Sequence, residues 1–388
     1  MRILIIVHHP TRKGGAYFRG QGFAKPLVRR GHEVWMMTIS PDARFRLVEK
    51  SVENFQVVES PDLLTGIGRT GWDPWDTLRR CLWMHGKQFD IIHTVDTRPA
   101  VSIPAAWGRR VTGARWIADW TDWWGRGGAT SEQPGWAIKT FVGPVEQWFE
   151  ERPKVWADGV ITISRALDER ARGLGVDPGR MLYLPPGADP DAIRTESTAE
   201  ARARLGLDPD TPYIGYLGNI YQRDADLMFE AVRRMKHDKA RLIMIGGGAF
   251  EISGDLGDRL IQTGHVPFPQ MLDYLSACDV LALPLSDTVA NRGRWPSKIN
   301  EYVAVGRPTV ACAVGDLCDL FEHNDIGLLT PPEVEPFAER LDRLIGDPET
   351  ARRMGDNARE LATSSYAQDR VAEKLEGFYE KALNNFEQ

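Results

Sequence analysis

The sequence is poor in cysteine, and its few cysteines are not arranged for disulfides or zinc. The chain has four in 388 residues: Cys81, Cys278, Cys312 and Cys318. None forms a CxxC pair, and none has a histidine partner at zinc-ligand spacing. The pattern argues against a disulfide framework or a structural zinc module, and we expect free thiols in the reduced environment of the cytoplasm.

Long apolar runs are also missing. No segment reaches the roughly 18 apolar residues that a membrane-spanning helix needs. The first apolar run, Ile3–Val7, is too short for the apolar region of a signal peptide and suits a buried strand. We expect a cytoplasmic protein without a membrane span, which leaves peripheral attachment to the inner membrane face open.

The sequence has neither an excess of positive charge nor a metal-type acidic cluster. Lys and Arg number 48 against 54 Asp and Glu, which gives a net charge of −6. This balance argues against a nucleic acid as partner, because nucleic-acid binding relies on basic surfaces. Since no acidic cluster stands at metal-binding spacing, we expect no metal and no other cofactor.

Strands and helices alternate along the chain. The first 39 residues predict a strand, a glycine turn, a helix over Phe18–Arg30 and a second strand, which together make a βαβ unit. A second alternation starts at Tyr213, after a proline-containing stretch from Asp189 to Pro212. We therefore predict an α/β protein with two Rossmann-like, doubly wound domains that face a cleft.

The composition places the domain boundaries. The N-terminal domain is expected at residues 1–188 and the C-terminal domain at residues 189–367. The last helix, in residues 368–388, could pack back on either domain, and the N-terminal domain is our expectation.

One short stretch, from Asn291 to Ala311, carries the strongest local signals. Pro296 and Ser297 predict a helix start, with Ser297 accepting backbone N–H groups as N-cap. The helix is predicted from Lys298 to about Val305, and Gly306 stands where a left-handed C-cap is needed.

The same stretch has the chemistry of a phosphate site. Arg292 and Arg294 precede the helix, and Lys298 lies in its first turn, so three cations meet a helix N-terminus. Glu301, one turn further, can accept hydrogen bonds from paired hydroxyls such as those of a ribose. The alternative is that these cations form an ordinary solvated face, which is the better interpretation for any one of them alone.

A glycine pair and a pair of carboxylates in the first half are further candidates. Gly14 and Gly15 form a βα turn where backbone N–H groups can approach a ligand, although the turn is not GxGxxG and alone predicts only a turn. Asp119 and Asp122 follow a predicted strand and are candidates for acceptor binding or acid–base chemistry, with helix capping as the alternative. His93 lies inside a buried strand, which favours a core role.

Tryptophan is concentrated beside these carboxylates. Trp123, Trp124 and Trp136 flank the glycine-rich segment Gly125–Gly128, where we expect an exposed, mobile chain. Exposed indoles can stack on a sugar ring or lie at a membrane interface, whereas core packing is the alternative. We predict that residues 119–136 line an acceptor site.

The C-terminal half resembles glycosyltransferase family 4, a group of retaining nucleotide-sugar transferases with the GT-B fold, and the N-terminal half resembles it more loosely. The matching segments are LIMIGGG (242–248), CDVLALPL (278–285), PSKINEYVAVGRPTVA (296–311), DPETARRMGDNAR (347–359), GGA (14–16), DIIH (90–93), VITIS (160–164) and LPPGAD (184–189). The resemblance implies the GT-B architecture and a metal-independent, retaining transfer of a sugar from a nucleoside diphosphate sugar to a glycan or lipid-linked acceptor.

The resemblance also implies roles for individual donor-site residues. Glu301 matches the second glutamate of the family's Glu-x7-Glu element, which holds the ribose, while Gly293 stands at the first glutamate's position. The donor sugar would then contact backbone N–H groups of Gly293 and Arg294. Asn219 and Arg223 lie near the family's Arg/Lys pair, and Lys298 would share their work on the diphosphate.

Backbone N–H groups at Gly15 would also contact the donor. Asp122 matches the aspartate of the family's His-Asp pair, with Thr121 in place of the histidine. The expected catalytic residues are therefore Asp122, Arg223 and Lys298, and the expected acceptor contacts are Asp119, Asp122, Trp123 and Trp124.

Two other functions remain open at this point. A GT-B nucleotide-sugar epimerase would need carboxylates and histidines placed for elimination, and only Asp119, Asp122 and His93 are available. A non-catalytic nucleotide-binding partner of a transferase would tolerate the glycine at position 293.

Overall fold

The computed structural model describes residues 1–64, 70–125, 127–132, 138–247 and 256–386. The chain divides into two compact units. Unit 1 consists of Met1–Pro186, Arg292–Trp295 and Gln368–Gln388, and unit 2 consists of Gly187–Asn291 and Pro296–Ala367. Each unit is built on one largely parallel β-sheet, so the expected pair of doubly wound α/β domains is confirmed.

Unit 1 contains an eight-stranded sheet with the strand order β3-β4-β2-β1-β5-β6-β7-β8. All pairs are parallel except β3 with β4, which form an edge hairpin. The strands are β1 (Arg2–Pro10), β2 (Glu33–Ile39), β3 (Val48–Val52), β4 (Phe55–Ser60), β5 (Ile91–Val95), β6 (Arg115–Trp120), β7 (Gly159–Thr162) and β8 (Met181–Tyr183).

In the described residues, unit 1 contains seven helices, together with a π-helical turn at Ile138–Val142 and a 3-10 turn at Pro178–Arg180. The helices are α1 (Gly15–Arg29), α2 (Pro74–Met84), α3 (Pro99–Thr112), α4 (Ala129–Glu132), α5 (Gly143–Trp156), α6 (Arg165–Gly173) and, at the other end of the chain, α15 (Gln368–Leu383).

The alternation of side chains along β1 divides unit 1 into two layers of core. Ile3 and Ile5 point to one face, where they join a cluster with residues of α1 and α15. Leu4 and Ile6 point to the other face, where the cluster includes residues of α2 and α3. The last helix of the chain therefore completes the core of unit 1.

Unit 2 contains a six-stranded parallel sheet with the order β11-β10-β9-β12-β13-β14. Its strands are β9 (Tyr213–Leu217), β10 (Arg241–Ile245), β11 (Leu260–Gly264), β12 (Val280–Leu283), β13 (Thr309–Cys312) and β14 (Gly327–Thr330). Its helices are α7 (Thr198–Leu205), α8 (Gln222–Arg234), α9 (Phe268–Ala277), α10 (Val289–Arg292), α11 (Lys298–Val305), α12 (Leu317–Asn324), α13 (Val334–Gly346) and α14 (Pro348–Thr363), with a 3-10 turn at Gly257–Arg259.

Each sheet has one point where the strand order reverses. In unit 1 the chain adds β2 on one side of β1 and β5 on the other, so the reversal lies between β1 and β5. In unit 2 the chain adds β10 on one side of β9 and β12 on the other. The loops that leave neighbouring strands in opposite directions at such a point form a crevice at the carboxyl ends of the strands, which is where open α/β sheets bind ligands.

The predictions for the two ends of helix α11 had different outcomes. Helix α11 spans Lys298–Val305 as predicted, and Gly306 has the left-handed conformation of a C-cap, with φ 69° and ψ 45°. The N-cap prediction for Ser297 was wrong: its side chain makes no capping hydrogen bond, because φ −53° and ψ −27° already place it in a helical conformation. None of the helices in the described ranges is long and apolar enough to cross a membrane.

Candidate functional site

In unit 2 the two loops at the reversal point meet at Lys298. This half-buried residue opens α11, and its Nζ lies 2.5 Å from the Tyr216 hydroxyl and 3.1 Å from the Asn219 carbonyl oxygen. The ammonium also lies 4.3 Å from the centre of the Tyr216 ring. Because Tyr216 is on β9 and Asn219 follows it, these contacts fix a cation where the loops after β9 and β12 come together.

Glu301 lies one turn further along α11. Its side chain is partly exposed, and burial raises the pKa of its carboxyl to about 7, against the opposing charge of Lys298. A raised pKa at a ligand crevice is common among residues that bind or react, because the group loses water without gaining a full counter-charge. A partly exposed carboxyl with a raised pKa therefore lies one turn from Lys298 on α11.

A residue that sequence reasoning missed holds the loop after β12. Asp224, buried in the first turn of α8, accepts hydrogen bonds through Oδ1 from the backbone N–H of Ser286 at 2.8 Å and from its hydroxyl at 2.5 Å. Asn291 in turn donates to the Ser286 carbonyl at 2.7 Å. The loop that leads to α11 is thus tied to the helix that follows β9.

Two glycines bring backbone close to this crevice. Gly218 and Gly246, which follow β9 and β10, have positive φ values of 81° and 110°. A Cβ on Gly246 would lie 3.2 Å from the Cα of Gly218, so the two loops pack backbone against backbone. Glycine at both positions keeps the ends of β9 and β10 free of side chains, as close approach of a ligand to backbone requires.

The other predicted donor residues are distributed over both units. Asn219 and Arg223 are exposed, with Arg223 in the first turn of α8. Gly293 is buried, and the half-buried Arg294 belongs to unit 1, where its charge partly opposes the burial that raises the pKa of Asp122. The structure therefore groups Lys298, Glu301, Asn219 and Arg223 in unit 2 and separates Gly293 and Arg294 from them by unit.

Gly15 opens α1 of unit 1 at the carboxyl end of β1. The helix starts there and not at Phe18 as predicted, because Gly14 takes a positive φ of 78° and turns the chain directly into the helix. A Cβ on Gly14 would lie 2.1 Å from the imidazole of His9, whereas one on Gly15 would meet nothing within 4 Å. The open side of the turn is therefore at Gly15.

Asp122 follows β6 in unit 1 and is partly exposed. Burial is the main cause that raises the pKa of its carboxyl to about 7, and the nearby charge of Asp96 adds to it, while Arg294 and Arg98 act in the opposite direction. A carboxyl that titrates near neutral pH can accept or hold a proton during a reaction.

The prediction that Asp119 contacts an acceptor is corrected by the structure. Asp119 is fully buried, and its two oxygens accept hydrogen bonds from the Arg19 guanidinium at 2.5 Å and 2.9 Å. Arg19 also donates to the Leu184 carbonyl at 3.0 Å. This bidentate pair links α1, β6 and the end of β8, so Asp119 holds unit 1 together and does not face a ligand.

The core role of His93 is confirmed. Its ring is fully buried, stacks on Phe23 with centroids 5.2 Å apart, and shares a 2.5 Å hydrogen bond with the Tyr379 hydroxyl of α15. Burial lowers the pKa of the imidazole, so the ring stays neutral in the core.

The described part of the segment after Asp122 is held by buried carboxylates, and of its glycines Gly125 and Gly128 are buried while Gly127 is exposed as expected. Glu150 of α5 accepts the backbone N–H of Trp124 at 3.0 Å and that of Gly125, and also the Trp120 indole N–H at 3.1 Å. One turn earlier, Glu146 accepts the Thr130 hydroxyl. The local composition favoured exposure, but these tertiary contacts fix the loop.

The indoles of this segment are packed against guanidinium groups. Trp123 and Trp124 are both half-buried, with Arg170 4.3 Å from the Trp123 ring centre and Arg98 4.6 Å from that of Trp124. Cation–π contacts of this kind hold the rings in place while leaving part of each accessible. Trp136 lies outside the described residues.

A second unpredicted group lies at the reversal point of unit 1. His8, at the end of β1, shares a 2.7 Å hydrogen bond with Asp96, which follows β5 and has a positive φ of 74°. Backbone strain at a non-glycine residue is typical of functional positions when surrounding contacts enforce it. Among the described residues, no group of three or more His, Cys, Asp or Glu side chains is arranged to hold a metal ion.

Comparison with known protein families gives two matches that together span most of the chain. Residues 14–187 match the family described as "Glycosyl transferase 4-like domain". Residues 211–347 match the family described as "Glycosyl transferases group 1".

Comparison with curated proteins finds relatives of low identity. The chain is 26% identical over 264 residues to an alpha-D-kanosaminyltransferase of Streptomyces kanamyceticus, covering 64% of this chain and 67% of the relative. It is 28% identical over 259 residues to a D-inositol 3-phosphate glycosyltransferase of Stackebrandtia nassauensis, covering 60% and 56%. The match thus spans little more than half of the second relative's length.

Solved structures match over nearly the whole chain. A sucrose-phosphate synthase from Thermosynechococcus elongatus superposes with a TM-score of 0.77 at 19% identity, covering 98% of this chain and 99% of that one. Anabaena HepE, solved in complex with UDP-glucose, superposes with a TM-score of 0.71 at 16% identity, covering 98% and 100%. At these identities the likeness shows the shared fold.

Proposed function

This chain belongs to the group 1 glycosyltransferase family, and we propose that it moves a sugar from a nucleoside diphosphate sugar to a glycan or lipid-linked acceptor, with retention of anomeric configuration and without a metal ion. Unit 2 would hold the nucleotide sugar and unit 1 the acceptor. Peripheral contact with the cytoplasmic membrane face would bring a lipid-linked acceptor within reach.

The observation that carries the proposal is the position of Lys298 and Glu301, which lie one turn apart on α11 at the reversal point of the unit 2 sheet. The Lys298 ammonium lies where the loops after β9 and β12 meet, and Glu301 follows one turn later. A cation at a helix start suits a diphosphate, and a carboxyl one turn away suits the ribose hydroxyls. The complex of the neighbouring HepE with UDP-glucose supports a ligand of this class.

The chemistry follows from where charge develops. When the bond between sugar and diphosphate breaks, negative charge grows on the leaving diphosphate, and Lys298 and Arg223 stabilise it. In a retaining reaction without a carboxylate nucleophile, the leaving phosphate oxygen takes the proton of the attacking acceptor hydroxyl on the same face of the sugar. Asp122, with a pKa of about 7, orients that hydroxyl.

The epimerase alternative loses support from the core contacts. Of its three required groups, Asp119 is bonded to Arg19 and His93 to Tyr379, and both are fully buried. Only Asp122 remains for elimination chemistry. The non-catalytic alternative keeps one observation in its favour, which is the buried Gly293 where the resemblance expects a glutamate.

A thermal-shift panel of nucleoside diphosphates tests the donor half of the proposal, because a ligand that binds the folded state raises its stability by RT ln(1 + [L]/Kd). We expect one base to raise Tm in the wild type and in Lys239→Met, an exposed lysine elsewhere in unit 2, and to fail in Lys298→Met. No response to any nucleoside diphosphate would contradict the proposal.

Turnover separates the transferase from the non-catalytic alternative. The pure protein should release the matching nucleoside diphosphate from its nucleotide sugar, and the rate should not change when a chelator is added. Nucleotide binding without any turnover, in the presence of a panel of acceptors, would favour the non-catalytic partner.

A further inference from the structure

One face of unit 1 differs from an ordinary solvated protein surface. Helices α2, α3 and α5 contribute its outer surface, which we name the outer helix face, and all of their residues are among those described. Every exposed residue on these three helices is apolar or is an arginine. The exposed residues are Pro74, Leu78, Leu82, Ile103, Ala106, Trp107, Arg109, Arg110, Val111, Pro144, Val145, Trp148, Arg152 and Trp156.

The exposed apolar residues form stripes along the helices. On α3, Ile103, Trp107 and Val111 are four residues apart and lie on one side of the helix. On α5, Trp148 and Trp156 lie on one side, with their ring centroids 5.4 Å apart. The exposed fractions of Trp107, Trp148 and Trp156 are 44%, 46% and 49%, so each indole presents about half of its surface to solvent.

Two contacts place α3 and α5 side by side. Arg98, directly before α3, pairs with Glu146 in the first turn of α5. Near the other ends of the helices, Arg109 donates to the Trp156 carbonyl at 3.0 Å. Because the starts are tied together and the ends are tied together, the two helices run in the same direction and their stripes belong to one surface.

The acidic residues of these helices do not reach this surface. Asp76, Glu146 and Glu150 are buried. Glu151 is half-buried and accepts from Arg170 at 2.8 Å. The three helices therefore expose indoles, aliphatic side chains and arginines without an exposed carboxylate, and of these arginines Arg109 is paired with the half-buried Asp158 that follows α5.

Helix α15, on the opposite face of the same sheet, shows what an ordinary surface of this unit looks like. Its exposed residues are Asp369, Arg370, Glu373, Lys374, Glu380, Lys381 and Leu383. Both signs of charge alternate there, and one apolar side chain is exposed. The restriction of exposed residues to apolar side chains and arginine is therefore a property of the outer helix face and not of the whole unit.

Charge decides between the occupants that could cover this face. A second copy of the chain, docked through the same face, would bring arginine against arginine with no exposed acid on either side. An anionic bilayer offers an apolar boundary that accepts indole rings and negatively charged headgroups that accept guanidinium groups. We propose that the outer helix face is a docking surface for an anionic lipid bilayer, which names the surface for the peripheral membrane contact of the proposed function and rests on that function for its purpose.

Co-sedimentation with vesicles tests the proposal. The wild-type protein should bind vesicles that contain phosphatidylglycerol, bind those of pure phosphatidylcholine much more weakly, and release from the former as salt is raised. Arg110→Glu with Arg152→Glu should weaken binding by at least roughly fivefold for each arginine. The double variant Trp107→Ser, Trp148→Ser should also bind vesicles more weakly. This loss should depend less on salt than the loss caused by the arginine substitutions.

Matched controls lie on α15. Arg370→Glu reverses one positive charge and Leu383→Ser removes one apolar side chain at exposed positions of the opposite face, and both variants should bind vesicles as the wild type does. Circular dichroism melting reports whether each variant is folded, and hydrogen exchange on the wild type should show vesicle-dependent protection in α3 and α5 but not in α15.

Three results would overturn the proposal. They are absence of binding by the wild type to anionic vesicles, equal losses in the α15 controls, and a wild-type dimer that the Trp107→Ser, Trp148→Ser variant converts to monomer while vesicle binding is unchanged. The last result would assign the face to a second copy. Sugar transfer to a water-soluble acceptor should survive in all folded variants, so a failure here is distinguishable from a failure of the proposed function.

Discussion

The crevices at the two strand-order reversals have opposite characters. In unit 2 the candidate groups lie at the surface: Arg223 and Asn219 are exposed, and Lys298 and Glu301 are partly exposed. In unit 1 the charges around the reversal point are largely paired inside the protein, as in the fully buried Glu150 with its four hydrogen-bond donors. The comparison teaches that one crevice leaves its charged groups accessible to solvent, while the other uses its own charges to hold a loop in shape.

The largest effect is expected where the unit 1 loop is anchored. Burial raises the pKa of Glu150, so its role is that of an acceptor: Glu150→Gln replaces one accepting oxygen by an NH2 group and leaves buried donors unpaired, and we expect a loss of about 3 kcal/mol in the free energy of unfolding. Glu151→Gln is the matched control, because Glu151 pairs with the same Arg170 but is partly exposed, and it should cost less than about 1 kcal/mol. Urea unfolding measures both, and equal losses would show that Glu150 is not an anchor.

A comparable effect, on rate and not on stability, is expected in unit 2. Lys298→Met should lower the transfer rate by roughly 100-fold, which is about 2.7 kcal/mol, because one preorganised charge on the leaving group is lost. Lys239→Met, an exposed lysine in the same unit, should leave the rate unchanged. Steady-state kinetics gives the answer, and a Lys298→Met enzyme with a normal kcat would remove this residue from the diphosphate.

Glu301 tests the accessible crevice of unit 2 through its expected contact with the ribose hydroxyls of the ligand. Glu301→Gln should weaken binding of the matching nucleoside diphosphate by about 2 kcal/mol. Its pKa of about 7 means that wild-type affinity falls as the pH drops from 8 to 6, since the acceptor carboxylate becomes protonated, while the variant lacks this component. Calorimetry with a 2′,3′-dideoxy analogue is the control, and an analogue that still discriminates between wild type and variant would contradict the ribose contact.

The smallest effect concerns Asp122. Its pKa lies above the usual 3.8, at about 7, so the protonated form stabilises the fold fully below pH 3.8, and this contribution is lost progressively as the pH rises from 3.8 through 7. Asp122→Asn should therefore raise Tm relative to wild type by more at pH 8.5 than at pH 5. Melting curves at the two pH values test this, and a Tm difference that does not depend on pH would show that the Asp122 pKa is not raised.

Local signals predicted what local structure determines. Helix Lys298–Val305 and its Gly306 cap were found from neighbouring residues, since the C-cap conformation depends on glycine itself. Ser297 failed because its helical backbone removes the geometry that an N-cap side chain needs. The edge hairpin was missed because its two-residue turn, Glu53 and Asn54 at positive φ values of 47° and 69°, lacks the glycine that usually marks such a turn.

The roles that the sequence did not reveal depend on partners far along the chain. Asp224 holds Ser286, 62 residues away, and Glu150 holds Trp124, 26 residues away. Nothing in the immediate neighbourhood of either carboxylate distinguishes it from a solvated one. The tryptophan loop was predicted to be mobile for the same reason, because its glycines are visible in the sequence and its anchors on α5 are not.

The packing of α15 in unit 1 has a consequence for synthesis on the ribosome. His93 and Tyr379 are separated by 286 residues yet share a hydrogen bond in the core. Strand β8 ends at Tyr183 and α15 begins at Gln368, so about 185 residues are translated between them, which takes roughly 10 to 40 s at 5–20 residues per second. During that interval the nascent unit 1 exposes the apolar groove of Phe23 and Ile117 that α15 later fills. The nascent chain therefore carries unfilled apolar surface until α15 emerges, and we expect a chain that ends before Gln368 to aggregate more readily than the full chain.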